Sequence, residues 1–278
     1  MKLAVIGVGL IGGSFALALK QAKKVSHVVG VGRSRANLEL ARERGIIDSI
    51  APDASGCDVV LIAAPVAQFG TIFSSLKNFS GLITDGGSTK RDVIAAARRA
   101  LGRNLSRFVP AHPIAGGEQS GAAAAKADLF KGKRVIVTPL PENEEKTVAE
   151  VQHLWRACGA HVSRMSAEEH DAVLSTVSHL PHLVAYAMAH DVAKRENAAR
   201  LFEIAGAGFR DFTRLASSHP EMWRDICIAN RDLVLADMEA FSRKLAHLKK
   251  LLQENDAAGL EKLFAEAREA RNRWIQSS

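Results

Sequence analysis

Tyrosine is almost missing from the 278 residues, with Tyr186 the single copy, and cysteine is limited to three. Cys57, Cys158 and Cys227 are odd in number, far apart and in no metal-ligand spacing. That pattern excludes a disulfide framework and a cysteine-based zinc site. Thiols used this way are small apolar packing residues of a reducing compartment. No apolar run reaches the roughly 20 residues that a membrane-spanning helix needs. The first strand starts almost at Met1, which leaves no room for a signal peptide. Internal repeats and low-complexity tails are also missing. Together these absences lead us to expect a cytoplasmic protein with no membrane partner. The formal net charge is +7. Its cations are scattered through helical segments rather than gathered in a stripe. They offer no nucleic-acid footprint but suit a small anionic substrate.

What is present falls into two halves with different patterns. Up to about residue 165, short apolar runs alternate with helical stretches. "KLAVIG", "HVVGVG", "DVVLIAAP", "GLITDGG" and "RVIVTP" read as buried parallel strands, with "RFVPAHP" as another and "AHVSRM" at the edge. Strands alternating with helices imply a parallel α/β sheet. After Ser166, a candidate helix cap, the pattern turns helical. Pro181 is expected to bend or divide that segment. From about Glu221 to Glu254 no proline or glycine interrupts the pattern, so a single helix of roughly 50 Å is expected. A last helix follows from about Gly259 to Trp274. Such a long helix carries more apolar surface than a small domain covers, which predicts a homodimer through the C-terminal helices. The expected boundaries are 1–165 and 166–278.

Residues 7–12 read "GVGLIG". Gly7, Gly9 and Gly12 form GxGxxG directly between a strand and a helix, the context a dinucleotide fingerprint requires. The first glycine permits the turn, the second leaves space for pyrophosphate and the third allows close helix–strand packing. Leu10 and Ile11 begin the helix, whose free N–H groups face the anion. This gives the fold class: an α/β Rossmann-type N-terminal domain with an all-α C-terminal dimerisation domain. The second strand ends in Gly32-Arg33-Ser34-Arg35. A carboxylate for the ribose 2′-OH is missing there, and the guanidinium groups of Arg33 and Arg35 with the Ser34 hydroxyl suit a 2′-phosphate. The expected cofactor is therefore NADP+. Ala64 and Pro65, in "AAPV", end a further strand where a loop can pack on the ribose or adenine.

"HPIAGGE" is poor helix and poor core material, and it places His112 and Glu118 on one loop. Ligands bind beyond the carboxyl ends of such strands, which puts His112 near the nicotinamide. An imidazole there can take a hydroxyl proton as hydride leaves the same carbon. Ser88, in "TDGGSTK", reads either as a helix cap or as a cap that also faces the nicotinamide. "SHLPH" brings His179 and His182 onto one helix face if the turn survives Pro181. A metal would need a third ligand that the sequence does not supply, so the pair is read as an anchor for an anionic or carbonyl group and no metal is expected. Arg210 and Arg214, one turn apart, suit a carboxylate. Trp223 reads as packing.

Taken in order, "GVGLIGGS", "TDGGSTK", "HPIAGGEQSG", "SHLPH" and "GAGFRDFTRLA" with "PEMWRDI" resemble the prephenate/arogenate dehydrogenase family of tyrosine biosynthesis, over nearly the whole chain. The resemblance implies oxidation of a cyclohexadienyl alcohol at C4 while the C1 carboxylate leaves as CO₂. The product is 4-hydroxyphenylpyruvate from prephenate or tyrosine from arogenate. It implies that His112 bonds the 4-hydroxyl and that Ser88 assists beside it. It gives Arg214 the ring carboxylate, His182 the side chain, His179 a supporting place and Glu118 the pocket wall. "GRSR" departs from the acidic strand end of NAD-using relatives. The chain also ends soon after its last helix, with no room for the mutase or regulatory domain of some relatives. Two other readings stay open. One is a 3-hydroxyacid or 6-phosphogluconate-type dehydrogenase, which would leave "HPIAGGE" unexplained. The other is a non-catalytic NADP(H) sensor, which need not keep His112, Ser88 and Arg214 together.

Overall fold

The computed structural model describes residues 1–117 and 119–277; Glu118 and Ser278 lie outside the described residues. The chain opens with β1 (Lys2–Ile6), α1 (Leu10–Gln21), β2 (His27–Val31), α2 (Arg35–Glu43), β3 (Ser49–Ile50) and β4 (Val59–Ile62). Next come α3 (Phe69–Ser75), β5 (Leu82–Asp85), α4 (Arg91–Ala100) and β6 (Phe108–Val109). The six strands form one parallel sheet in the order β3-β2-β1-β4-β5-β6. That order is the doubly wound one, with a crevice at the point where the strand order reverses, between β1 and β4.

Both sheet faces are covered, which explains the continuous apolar runs. Leu3, Val5, Leu61 and Val109 point to one side, where Phe15, Leu19 and Trp155 meet them. Their alternate neighbours Ala4, Val60, Ile62 and Phe108 point to the other, against Phe69, Phe73 and Ala97. Ring pairs lock each side. Phe15 and Trp155 centroids lie 4.5 Å apart, and Phe73 and Phe108 centroids 4.9 Å apart. Truncating an aromatic of this kind costs about 3–5 kcal/mol, so these rings carry much of the sheet's hold on its helices.

"RFVPAHP" extends the parallel sheet only through Phe108–Val109, and the expectation that its remainder and "RVIVTP" do so is corrected. Pro110 has no N–H to continue the ladder, and the chain leaves the sheet there. It continues as β7 (Ala111–Pro113), which pairs antiparallel with β8 (Arg134–Val137). After α5 (Glu145–Ala157), β9 (His161–Arg164) pairs parallel with β8 and completes a separate three-stranded sheet.

The helical part begins at α6 (Ala167–Leu174), with the Ser166 hydroxyl accepting the Glu169 N–H at 3.0 Å as the cap. A π-helical turn over Ser175–His179 follows, and then α7 (Leu180–Ala193), with Pro181 in its first turn. The wide turn is how the chain meets the expected break. The proline ring would crowd the carbonyl four residues back in a regular α-helix, and a π turn relieves that. Next come α8 (Ala198–Ile204), α9 (Ala207–Thr213) and α10 (Pro220–Ala229), then α11 (Arg231–Gln253) and α12 (Ala257–Ser277).

The single long helix expected from Glu221 to Glu254 is therefore two. Asn230 stands outside both, at φ −110° and ψ 26°. Its N–H still closes the last turn of α10 on the Ile226 carbonyl at 3.0 Å, while its side chain is fully buried and hydrogen-bonded to residues of other elements. By compactness the chain divides into Met1–Arg231 and Asp232–Ser278. The second unit is a helix pair whose turn is closed by Asn255 in the left-handed region (φ 51°) and by Asp256, which accepts the Gly259 N–H at 2.9 Å. No helix among the described residues is long and apolar enough to cross a membrane.

Candidate active site

The glycine loop fits a pyrophosphate. Gly7 has φ +96°, and a Cβ there would lie 2.4 Å from the Ala63 carbonyl oxygen. A Cβ on Gly12 would lie 2.3 Å from the Gly7 oxygen, whereas one on Gly9 meets nothing within 4 Å. The first and third glycines are thus demanded by protein packing, and the second faces open space. Leu10 and Ile11 start α1, so their N–H groups, with that of Gly12, have no carbonyl one turn earlier within the helix. Ala64 and Pro65, half-buried, follow β4 beside this loop. Asn37 braces it: its amide donates to the Val8 carbonyl at 2.7 Å and accepts the Ala122 N–H at 2.9 Å.

At the end of β2, Arg33, Ser34 and Arg35 are all exposed. Ser34 caps α2 by accepting the Asn37 N–H at 3.3 Å. The Arg35 guanidinium pairs with Glu39 one turn on, and Arg42 shares that carboxylate. Arg33 makes no ion pair among the described residues. It is therefore the better placed of the two to meet an added phosphate.

His112 stands on β7 in a chain of buried polar groups. Its Nδ1 lies 2.9 Å from His170 Nε2, and His170 Nδ1 lies 2.8 Å from Asp171 Oδ1. A carboxylate only accepts, so His170 carries its proton on Nδ1 and offers the lone pair of Nε2. His112 then donates through Nδ1 and is left with a lone pair on Nε2. Burial first, and then the charges of His170, Lys90 and His179, hold the His112 imidazole well below its ordinary pKa. Burial lowers His170 too, against the pull of Asp171. The ring is thus a neutral base whose acceptor nitrogen is unspent among the described residues.

Asp171 is itself tightly held. Its Oδ1 accepts the Lys90 N–H and its Oδ2 the Arg91 N–H, each at 2.9 Å. This carboxylate caps α4 from another helix. Burial pushes its pKa up, but the bonds from His170, Arg91 and Lys90 outweigh that and leave it lowered. Ser88, half-buried just before α4, does not cap the helix, which has no side-chain cap from its own segment. Both readings of Ser88 made it the cap, and that part is corrected: Asp171 occupies that place. Asn230 completes the junction. It accepts from the Arg91 guanidinium at 2.8 Å, donates to the Asp171 carbonyl at 2.8 Å and lies 3.2 Å from His179 Nδ1.

The "SHLPH" histidines differ. His179 is 1% exposed, turned into this junction and edge-on to Trp223. His182 is half-buried and stacks on Trp223, ring centroids 3.6 Å apart. The His182 Nδ1–H donates to the Ser178 carbonyl at 2.8 Å. Burial lowers its pKa, and the nearby Arg214 charge adds to that. Arg214 is exposed and begins a 3-10 turn, Arg214–Ser217, which Tyr186 fastens by donating to the Ser218 carbonyl at 2.5 Å. Arg210 is also exposed. Glu118 lies outside the described residues.

The sequence reading missed His170, Asp171, Lys90, Asp85 and Asn230. "EEHDAVL" did show a histidine–aspartate pair one turn after a cap, a spacing that could have drawn attention. Among the described residues no group of three His, Cys, Asp or Glu could hold a metal ion.

Comparison with known proteins places this arrangement. The family model of the prephenate dehydrogenase nucleotide-binding domain matches residues 15–164, and that of the prephenate dehydrogenase dimerization domain matches 166–266. The chain is 37% identical over 276 residues to prephenate dehydrogenase of Bacillus subtilis (strain 168), covering 96% of this chain and 74% of that protein. It is 32% identical to cyclohexadienyl dehydrogenase of Zymomonas mobilis, covering 97% and 94%. A crystal structure of prephenate dehydrogenase from A. aeolicus, in complex with hydroxyphenyl propionate and NAD+, superposes with a TM-score of 0.91 at 34% identity, over 98% of this chain and 97% of that one.

Proposed function

Because the chain belongs to the prephenate dehydrogenase family, we propose that it oxidatively decarboxylates prephenate, L-arogenate or both with NADP+ as the hydride acceptor. The family membership makes it an oxidoreductase of tyrosine biosynthesis; the acid and the cofactor are our reading. One observation carries the mechanism. The Asp171–His170 pair orients His112 so that a neutral Nε2 acceptor is presented beyond the parallel sheet.

Held by the Gly7–Gly12 loop, a nicotinamide cofactor would supply the hydride acceptor for C4 of the ring. His112 Nε2 takes the 4-hydroxyl proton, and the positive charge that develops on the imidazole spreads toward Asp171. The bond from C1 to the carboxylate breaks, its electron pair completes the aromatic ring as the C4 oxygen becomes a phenolate, and the His112 imidazolium returns its proton there to give the phenol. CO₂ departs without needing an acid, so a single base suffices. Ser88 bonds the same hydroxyl. Arg214 holds the ring carboxylate, and His182 meets the side chain with His179 behind it. Arg210 remains a peripheral cation and Glu118 a pocket-wall residue in this reading. The His182 Nδ1–H is spent on Ser178, so its Nε2 offers an acceptor, which suits the ammonium of arogenate.

NADP+ is favoured by the exposed Arg33 and by the lack of a carboxylate in Gly32–Arg35. The A. aeolicus enzyme was crystallised with NAD+, so this choice rests on the present chain's own residues. We also propose the domain boundary at 165/166 and a homodimer through the helical part. Its support is the match to a dimerization-domain model and large exposed apolar side chains such as Leu245, Leu252, Phe264 and Ile275. A cytoplasmic location fits the reduced cysteines.

The test is initial rates with prephenate and arogenate crossed with NADP+ and NAD+. Higher kcat/KM with NADP+ is expected. A higher value with NAD+ overturns the cofactor reading, and no reduction with either acid overturns the function.

A further inference from the structure

The parallel ladder between β5 and β6 ends at Thr84 and Val109, because the next residue, Pro110, has no N–H to offer. Side chains continue where the main chain stops. Asp85 Oδ1 accepts the Ala111 N–H at 2.9 Å. The Lys90 ammonium donates to the Ala111 carbonyl at 2.9 Å. Asp85 Oδ2 joins the two, taking the Lys90 Nζ–H at 2.5 Å and the Gly87 N–H at 2.8 Å. Both side chains are 0% exposed.

We propose that Asp85 and Lys90 are positioning residues for the reaction: as a buried ion pair they clamp both polar atoms of Ala111, and so hold the next residue, His112, in its reactive place. This rests on the function proposed above. Stability alone does not account for the pair, since burying two charges is costly and an apolar pair of similar volume usually serves a fold as well or better. A reaction, however, needs its imidazole held to a fraction of an ångström. The same "TDGGSTK" stretch therefore joins two groups. It presents Ser88, and through Lys90 it grips the strand that carries the base.

The pair also bears on base strength. The ionisable groups around His112 are His170 and Asp171 of α6, His179 of the π turn, Lys90, Arg91 behind Asp171, and Asp85 of β5. Among them the Lys90 ammonium disfavours a second positive charge on the imidazole. If Lys90 became neutral, Asp85 would protonate, because burial already raises its carboxyl. The site would then lose both charges of the pair, of which the Lys90 cation is the one that bears on His112.

The experiment compares wild type with Lys90→Met and with Asp85→Asn/Lys90→Met, the second keeping the site neutral should the first fail to fold. Steady-state rates against pH are measured together with the His112 Cε1–H NMR titration, assigned by its loss in His112→Asn. We expect kcat to fall about tenfold to a hundredfold, with KM for acid and cofactor little changed. The acid limb of kcat and the His112 midpoint should both move to higher pH. Wild-type kcat and an unmoved midpoint in a folded variant overturn the proposal, as does a change confined to KM. Loss of folding in both variants makes the pair a stability element and overturns it as well. Failure of the proposed function shows separately, as wild type that turns over neither acid.

Discussion

His112 Nδ1 and His170 Nε2 lie 2.9 Å apart, and the second ring is in turn held by Asp171. The direction of this chain depends on Asp171 being a pure acceptor. Its two oxygens receive His170 Nδ1, Lys90 N and Arg91 N, all donors. In Asp171→Asn the amide must turn its NH₂ toward some of them. Facing His170, it reverses that ring's tautomer, and His112 Nε2 becomes a donor that cannot take a proton. We expect kcat to fall on the order of 100-fold with KM nearly unchanged. Unaltered turnover in a folded Asp171→Asn variant contradicts the relay.

His112→Asn should lower kcat severely, because the amide cannot serve as the base. Arg214→Ala should mainly raise KM for the acid, because a carboxylate anchor contributes to ground state and transition state alike. Steady-state kinetics separate the two. Near-normal turnover without His112, or a KM indifferent to Arg214, removes these roles.

Arg33→Ala should raise the NADP+ KM about tenfold, the size of one charge-assisted bond, and leave NAD+ unaffected. Arg35→Ala should do less, because Arg35 already shares Glu39 with Arg42. An equal loss for both cofactors at Arg33 would assign the residue to the common part of the dinucleotide.

Acid should destabilise this protein earlier than its carboxylates alone would dictate. His112, His170 and His182 all have native pKa values below the ordinary imidazole value. Below about pH 6.5 the unfolded chain binds protons that the native state resists. The unfolded state then holds more protons, so stability rises with pH through this window and falls as pH drops. Urea midpoints between pH 7 and 5 should decline, and by less in His112→Asn. A flat profile refutes the buried neutral histidines.

Asn230→Ala should lower stability by about 1–3 kcal/mol, the cost of leaving buried partners unsatisfied. Arg91 and the Asp171 carbonyl lose their amide. Thermal unfolding reads the loss. A variant as stable as wild type would make the break between α10 and α11 a matter of local backbone preference alone.

Much of this molecule is legible in one dimension because its causes are local. The glycine spacing of "GVGLIG" follows from contacts a few residues wide, the apolar runs from burial on both faces, and the Ser166 cap from a hydroxyl three residues from its partner. His112 stood out because a proline- and glycine-rich stretch follows it, although it proves to lie on strand β7 rather than in a loop. Tertiary structure decided the rest, through partners distant in sequence. Asp171 caps a helix 80 residues earlier, and Asn230, at the end of a helix, bonds 59 residues back. Pro110 sends its strand into a second sheet whose partner, β8, lies beyond the next loop. Propensity and periodicity hold no record of such pairings. A buried polar group must find partners wherever the fold brings them, and only the folded chain shows which it found.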